Sequence, residues 1–238
     1  MSYSGLELKN VHHAFETWSL TVNVRFEKGS LNGVLGASGA GKSTLLSLVA
    51  GFETVKSGEI RFDNRTITHL APKDRPVAMI FQEHNLFPHL TAFQNVLLGL
   101  NPRLKANPSD RISVNSALAN VGLYGKENRL PKSLSGGERQ RVVIARVLVM
   151  RRPVLLLDEP FTALGPALRE EMLMLIKELS LQHGLTVLLV SHSPDDLSRF
   201  AQKTAFIHAG KMLCYAPTET VLNNSGISAI NDYLKFRH

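Results

Sequence analysis

Two hydrophobic patterns take turns along the chain. From Leu20 to Phe26 apolar and polar residues alternate one by one (Leu20, Val22, Val24 and Phe26 against Thr21, Asn23 and Arg25). That is the period of a half-buried antiparallel strand. Leu6, Leu8 and Val11 begin another strand, with His12 to Trp18 lying between the two. Glu59 to Phe62 reads as a strand entering the turn Asp63-Asn64-Arg65. A second pattern, short near-continuous apolar runs, marks Leu31 to Leu35, Val77 to Phe81, Val154 to Leu157 and Leu185 to Val190. Strands buried on both faces of a parallel sheet read this way.

From about Phe87 to Val149 strand signals vanish. Pro102 and Pro108 punctuate a loop, and Ser109 or Asp110 is placed to cap a helix running through Val121. Leu134-Ser135-Gly136-Gly137-Glu138 precedes a helical run to Met150. The spacing predicts a helix over 166–183, with Pro in its first turn and Gly184 past its end. Another helix follows Pro194, then a hairpin (Thr204 to His208, Met212 to Ala216) and a helical tail from Val221. The expected fold is α/β. A core of residues 1–87 and 151–238, its first part rich in antiparallel strand, carries a helical insertion over 88–150.

Composition narrows this a little. At 238 residues the chain suits one domain with a subdomain inserted. No apolar run approaches the roughly 20 residues of a membrane span, and Met1-Ser2-Tyr3-Ser4-Gly5 lacks a signal pattern, so a cytosolic location is expected. The single cysteine, Cys214, excludes an intramolecular disulfide; among Met212, Leu213 and Tyr215 it is expected to be buried. A net charge of +7 permits nucleic acid or an anionic membrane surface, but the basic residues are scattered and charge alone decides nothing.

The chemistry centres on Gly36-Ala37-Ser38-Gly39-Ala40-Gly41-Lys42-Ser43-Thr44, which follows the Leu31 strand and opens a helix. This is G-x-x-x-x-G-K-[ST] in its required strand–loop–helix context. Glycines let successive N–H groups curl around phosphate oxygens, and the helix N-terminus adds positive potential. Lys42 reaches the terminal phosphates and Ser43 offers a hydroxyl to Mg²⁺. The motif implies binding of a nucleoside triphosphate.

Asp158 and Glu159 close the Val154 strand, and strand C-termini point at the ligand crevice of open α/β sheets. Asp158 is placed to orient Mg²⁺ and Glu159 to polarise an attacking water. Gln82 and His192 also end apolar strands. An amide there can ligate Mg²⁺ and the attacking water, and an imidazole can contact the γ-phosphate, but each signal alone is weak and a lone His after a strand is more often structural. Phe15 has the weakest signal, since a loop Phe is usually core.

Together these segments resemble the ATP-binding subunits of ABC transporters, over almost the whole chain. Leu134-Ser135-Gly136-Gly137-Glu138-Arg139-Gln140-Arg141 is similar to that family's signature motif; Gln82, Asp158-Glu159-Pro160 and Ser191-His192 fall in its order. The resemblance implies a P-loop NTPase core with an antiparallel β subdomain and a helical signature subdomain. It implies Phe15 stacked on adenine, Glu159 as general base, and His192 and Gln82 as γ-phosphate sensors, with Ser43, Gln82 and Asp158 around Mg²⁺. Two copies would sandwich two ATP molecules head to tail, Ser135, Gly136, Gly137 and Glu138 of one copy closing on the nucleotide of the other. Integral membrane permease subunits would contact residues 83–95, a periplasmic substrate-binding protein would act indirectly, and no nucleic acid is expected. The chain would sit peripherally on the cytoplasmic face of a bacterial inner membrane.

Two positions depart from the family pattern. Glu138 stands where many members have Gln, and Gly165 where the family usually has an Asp that couples the two sites. Within the family, the segments Phe81 to Leu90, Gly99 to Pro102 and Pro166 to Met172 resemble the subfamily serving thiamine import. Import of iron or an oxyanion is the alternative within the class, and a soluble ATPase acting on nucleic acid or the ribosome the remote one.

Overall fold

The computed structural model describes residues 4–81, 86–223 and 225–235. In chain order its elements are β1 (Gly5–Phe15), β2 (Trp18–Glu27), β3 (Leu31–Leu35), α1 (Lys42–Ala50), β4 (Ser57–Phe62), β5 (Arg65–Thr66), β6 (Val77–Ile80), α2 (Ala92–Leu97), α3 (Pro108–Asn120), α4 (Gly136–Val149), β7 (Val154–Asp158), α5 (Pro166–His183), β8 (Thr186–Val190), α6 (Pro194–Phe200), β9 (Lys203–His208), β10 (Lys211–Pro217), α7 (Thr218–Asn223) and α8 (Ser228–Lys235). They divide into two compact units, one of Met1–Val77, Pro153–Glu159 and Leu179–His238, the other of Ala78–Arg152 and Pro160–Glu178.

The first unit carries a mixed sheet in the order β5-β4-β1-β2-β10-β9-β3-β8-β7, with β6 (whose Val77 belongs to this unit) following β7. β3 and β8 are buried at every position and β7 at all but Asp158. Their apolar residues on both faces explain why they form the parallel centre. On the other side, β2 alternates buried and exposed residues from Leu20 onward, as its sequence predicts. The stretch left between strands in the sequence turns out differently: β1 runs on to Phe15 and β2 starts at Trp18, joined by the two-residue turn Glu16-Thr17. Phe15 pairs with Trp18 and His13 with Leu20, so the four side chains share one face. Cys214, expected to be buried, is half-buried on β10, and burial pushes its thiol pKa up.

In the second unit α2 and α3 pack on α4. Each of the three begins with a capping box, a side chain at the N-cap and one three residues on satisfying each other's backbone N–H. The pairs are Thr91 with Gln94, Asn107 with Asp110, and Ser135 with Glu138. The α3 cap is therefore Asn107 and not Ser109 or Asp110. Pro108 takes the first helical position, where its missing N–H costs nothing, and Asp110 becomes the reciprocal partner. Buried Asn95 fixes the segment before α2, donating to the carbonyls of Phe87, Leu90 and Thr91 at 3.0–3.1 Å and accepting from the Phe87 N–H at 2.9 Å.

Candidate functional site

The order of β3, β8 and β7 explains where the candidate residues meet. These adjacent parallel strands end at the same edge of the sheet. β3 delivers the loop 36–41, β8 delivers Ser191 and His192, and β7 delivers Asp158 and Glu159. Ser43 and Asp158, 115 positions apart in sequence, become neighbours because β3 and β7 flank β8 on its two sides.

Two glycines of the loop have no substitute. Gly36 (φ 154°) passes so close to β9 that a Cβ would lie 2.2 Å from the Ile207 carbonyl oxygen. Gly41 is the N-cap of α1, with φ 111° and ψ 13°. A Cβ there would lie 2.8 Å from Trp18 Cζ2 and 3.2 Å from Leu20 Cδ1. The hairpin face carrying His13, Phe15, Trp18 and Leu20 is thus the floor of the loop. His13 is buried, donates through Nδ1 to the Thr54 carbonyl (2.8 Å) and meets Trp18 edge-on at 6.5 Å between ring centroids. Phe15, beyond Trp18 at the hairpin tip, is 65% exposed.

Lys42 opens α1 with its side chain buried. Its Nζ donates to the carbonyls of Gly36 (2.9 Å) and Ala37 (2.8 Å), so the ammonium lies inside the curve of its own loop. Ser43 Oγ donates to Asp158 Oδ1 at 3.1 Å. Burial raises the Asp158 carboxyl above its ordinary value, and the Ser43 hydrogen bond and the Lys42 charge oppose that shift. Glu159 takes left-handed backbone geometry (φ 48°) while its N–H still donates to the Val190 carbonyl at 3.2 Å. Its Oε1 lies 2.5 Å from His192 Nε2. Conformations like this are sparsely populated and cluster at functional sites.

The second unit holds the segment from Ser135 to Glu138. Ser135 Oγ accepts from the Glu138 N–H (3.2 Å), and Glu138 Oε2 accepts from the Ser135 N–H (2.8 Å). Glu138 Oε1 is taken by Lys126, which together with the Ser135 N–H holds this carboxyl below its usual range. Glu138 therefore serves its own helix. The third helical position of a capping box accepts Glu or Gln alike, which explains why Glu fits here. Ser135 keeps its O–H as a donor. Gly137 packs against Leu168, leaving no room for a Cβ (2.9 Å). Gln82 lies outside the described residues.

The sequence reading missed Trp18. Its signal was the pairing across a two-residue turn, which puts it opposite Phe15 and under Gly41.

A sequence family described as ABC transporter matches residues 20–162, more than half of the chain. The chain belongs to the ABC transporter family. This ABC transporter chain is 49% identical over 229 residues to the thiamine import ATP-binding protein ThiQ of Brucella suis biovar 1, covering 96% of this chain and 95% of that protein. It is 47% identical over 221 residues to ThiQ of Photobacterium profundum, covering 93% and 92%. Its fold matches an ATP-binding cassette of an ABC transporter in the ADP conformation, with a TM-score of 0.86 at 22% identity over 95% of this chain and 98% of the other. A bacterial ABC transporter cassette solved as a dimer superposes with a TM-score of 0.74 at 29% identity, over 90% and 98%. The ABC transporter chain thus has a P-loop NTPase core and binds ATP as an ABC ATPase. None of its described helices is long and apolar enough to cross a membrane.

Proposed function

We propose that this chain is the ATP-hydrolysing subunit of an importer for thiamine or thiamine phosphates. The observation that carries this is the 49% identity, sustained over 96% of the chain, with proteins named as thiamine import ATP-binding proteins. In this reading the triphosphate lies along the loop 36–44, its terminal phosphates against Lys42 and the N-terminus of α1. Adenine stacks on Phe15, one cross-strand pair out from the floor of the loop.

The hard oxygen donors of Ser43 and Asp158, 3.1 Å apart, fit Mg²⁺, which takes the rest of its ligands from phosphate and water. When bound, the ion neutralises charge developing on the phosphate oxygens. Glu159 takes a proton from the attacking water as that water's oxygen bonds to the γ-phosphorus and the bond to ADP breaks. His192, 2.5 Å away, holds the Glu159 carboxylate in place and extends toward the γ-phosphate. Gln82 is assigned the second sensing role.

A second copy supplies Ser135, Gly136 and Gly137 to the γ-phosphate, through a hydroxyl, first-turn N–H groups and a helix N-terminus. The dimeric cassette among the structural relatives supports this arrangement. The loop fixed by Asn95, with Phe87 exposed, suits contact with membrane permease subunits, and the chain then sits peripherally on the inner membrane. A periplasmic binding protein acts indirectly.

The ATPase does not touch the vitamin, so transport is the test. Labelled thiamine uptake is measured in cells lacking their own copy, complemented with this chain and its cognate permease or with the Lys42→Ala variant. Uptake restored by the wild type alone is expected. No restoration by the wild type, with ATP binding intact, overturns the thiamine assignment.

A further inference from the structure

His192 lies between two serines, and both are tied to the start of α6. Ser191, 3% exposed and immediately after β8, donates its hydroxyl hydrogen to Asp196 Oδ2 at 2.7 Å. The same Oγ accepts from the Ser193 N–H at 3.1 Å. Ser193 is the N-cap of α6, its Oγ accepting from the Asp196 N–H at 3.4 Å, and Pro194 takes the first helical position. These bonds close a ring through the residue before His192 and the residue after it.

The ring departs from the caps of the second unit. At α2, α3 and α4 the side chain three residues past the N-cap accepts the N-cap N–H directly. At α6 the Ser191 hydroxyl stands between the two, accepting from the Ser193 N–H and donating to Asp196. A direct bond from Ser193 to Asp196 would cap α6 equally well. What the interposed hydroxyl adds is a hold on Ser191, and so on the backbone to either side of His192.

Glu159 shows what that hold does. Its N–H donates to the Val190 carbonyl at 3.2 Å, and its Oε1 lies 2.5 Å from His192 Nε2. Its backbone and its side chain are thus anchored on residues two apart, with Ser191 between them. Val190 is fixed by the sheet, paired with Val34 on one side and Asp158 on the other. A rotation of the backbone at Ser191 therefore swings the imidazole away from the carboxylate. The buried hydroxyl resists it, because breaking its bonds strands polar groups away from water. We propose that Asp196 is a positioning residue for hydrolysis: through the Ser191 hydroxyl it fixes the backbone around His192 and thereby aims the Glu159 carboxylate. The inference rests on the reading of Glu159 as general base and names what holds it in place.

The test is single-turnover hydrolysis at saturating MgATP, read beside ATP affinity and the urea midpoint. Asp196→Ala should slow hydrolysis by about 10- to 100-fold, the scale of a misplacement near 1 Å, with ATP affinity held within a few-fold. Asp196→Asn keeps an oxygen for the Ser191 hydroxyl and should stay within a few-fold of the wild-type rate. Ser191→Ala lets Asp196 accept the Ser193 N–H directly, so it should keep its urea midpoint and still lose the rate; it carries the test if Asp196→Ala does not fold. Asn107→Ala, which removes the cap of α3, should lower the midpoint and leave the rate unchanged. Added to Glu159→Gln, Asp196→Ala should slow hydrolysis no further, since the carboxylate it aims is gone.

A wild-type rate in Asp196→Ala or Ser191→Ala overturns the proposal, as does a loss in Asp196→Asn equal to that in Asp196→Ala. So does a loss that multiplies with that of Glu159→Gln, or a rate loss in Asn107→Ala matching that in Asp196→Ala. A slow Glu159→Gln beside a fast Asp196→Ala refutes only the positioning role; a Glu159→Gln variant at the wild-type rate refutes the general-base reading itself.

Discussion

Replacing Gly41 with alanine probes how the floor beneath the phosphate loop sets its shape. Two costs add. A residue with a Cβ in the left-handed region costs about 1–2 kcal/mol, and φ of 111° is at its margin. The new Cβ would also sit 2.8 Å from Trp18 Cζ2, 3.0 Å from Cη2 and 3.2 Å from Leu20 Cδ1. Overpacking of that kind costs about 1–3 kcal/mol. Gly41→Ala is therefore expected to destabilise by about 2–5 kcal/mol, a large share of the roughly 5–15 kcal/mol that holds a domain folded. The second cost has a named partner. Trp18→Leu removes the ring and relieves the clash but leaves the backbone strain. The double variant should recover about 1–3 kcal/mol relative to additivity. Urea unfolding followed by far-ultraviolet circular dichroism measures all four corners of the cycle without relying on the lost tryptophan. A Gly41→Ala change within about 0.5 kcal/mol of wild type, or additive single effects, would place the indole elsewhere.

Three further outcomes follow from the same geometry. Asp158 binds its proton more tightly folded than unfolded, because burial raises its pKa, so stability falls as pH rises through that interval and stays lower at neutral pH. Asp158→Asn should raise the thermal midpoint at pH 7, with the gap closing as pH drops toward the ordinary carboxyl value of 3.8, and should weaken MgATP binding; a midpoint shift independent of pH contradicts this. Lys42→Ala should lower ATP affinity by about 10- to 150-fold in a calorimetric titration, the worth of a charge-assisted hydrogen bond at about 1.5–3 kcal/mol, and unchanged affinity counts against the phosphate role. A Cβ on Gly165 meets nothing within 4 Å, so Gly165→Asp should leave stability within about 0.5 kcal/mol and raise or sharpen ATP turnover. An unchanged rate and Hill coefficient would sink that idea.

What the sequence made legible follows from which interactions are local. β3, β7 and β8 stand out because strands buried on both faces need unbroken apolar runs, and the phosphate loop because its glycines and Lys42 are consecutive. The cap of α3 was misplaced because Asn107, Ser109 and Asp110 are all competent and only the position of Pro108 decides among them. The β1–β2 hairpin was hidden because its turn, Glu16-Thr17, has no glycine or asparagine to announce it. The contact of Trp18 with Gly41 and the pairing of Glu159 with His192 depend on strands brought together by the sheet, and no local pattern encodes them. Gly165 was visible as an unusual residue, but the open space around it is a property of the fold.

In the proposed mechanism Glu159, held by His192, takes the proton from the water that attacks ATP. Single-turnover hydrolysis by Glu159→Gln at saturating MgATP, read beside equilibrium ATP binding and the mass of the ATP-bound species, tests it most directly. Hydrolysis should fall by about 10²- to 10⁴-fold, the contribution of a positioned general base, while ATP affinity holds within a few-fold and a closed homodimer accumulates. A variant that binds ATP and still hydrolyses it at the wild-type rate would contradict the account.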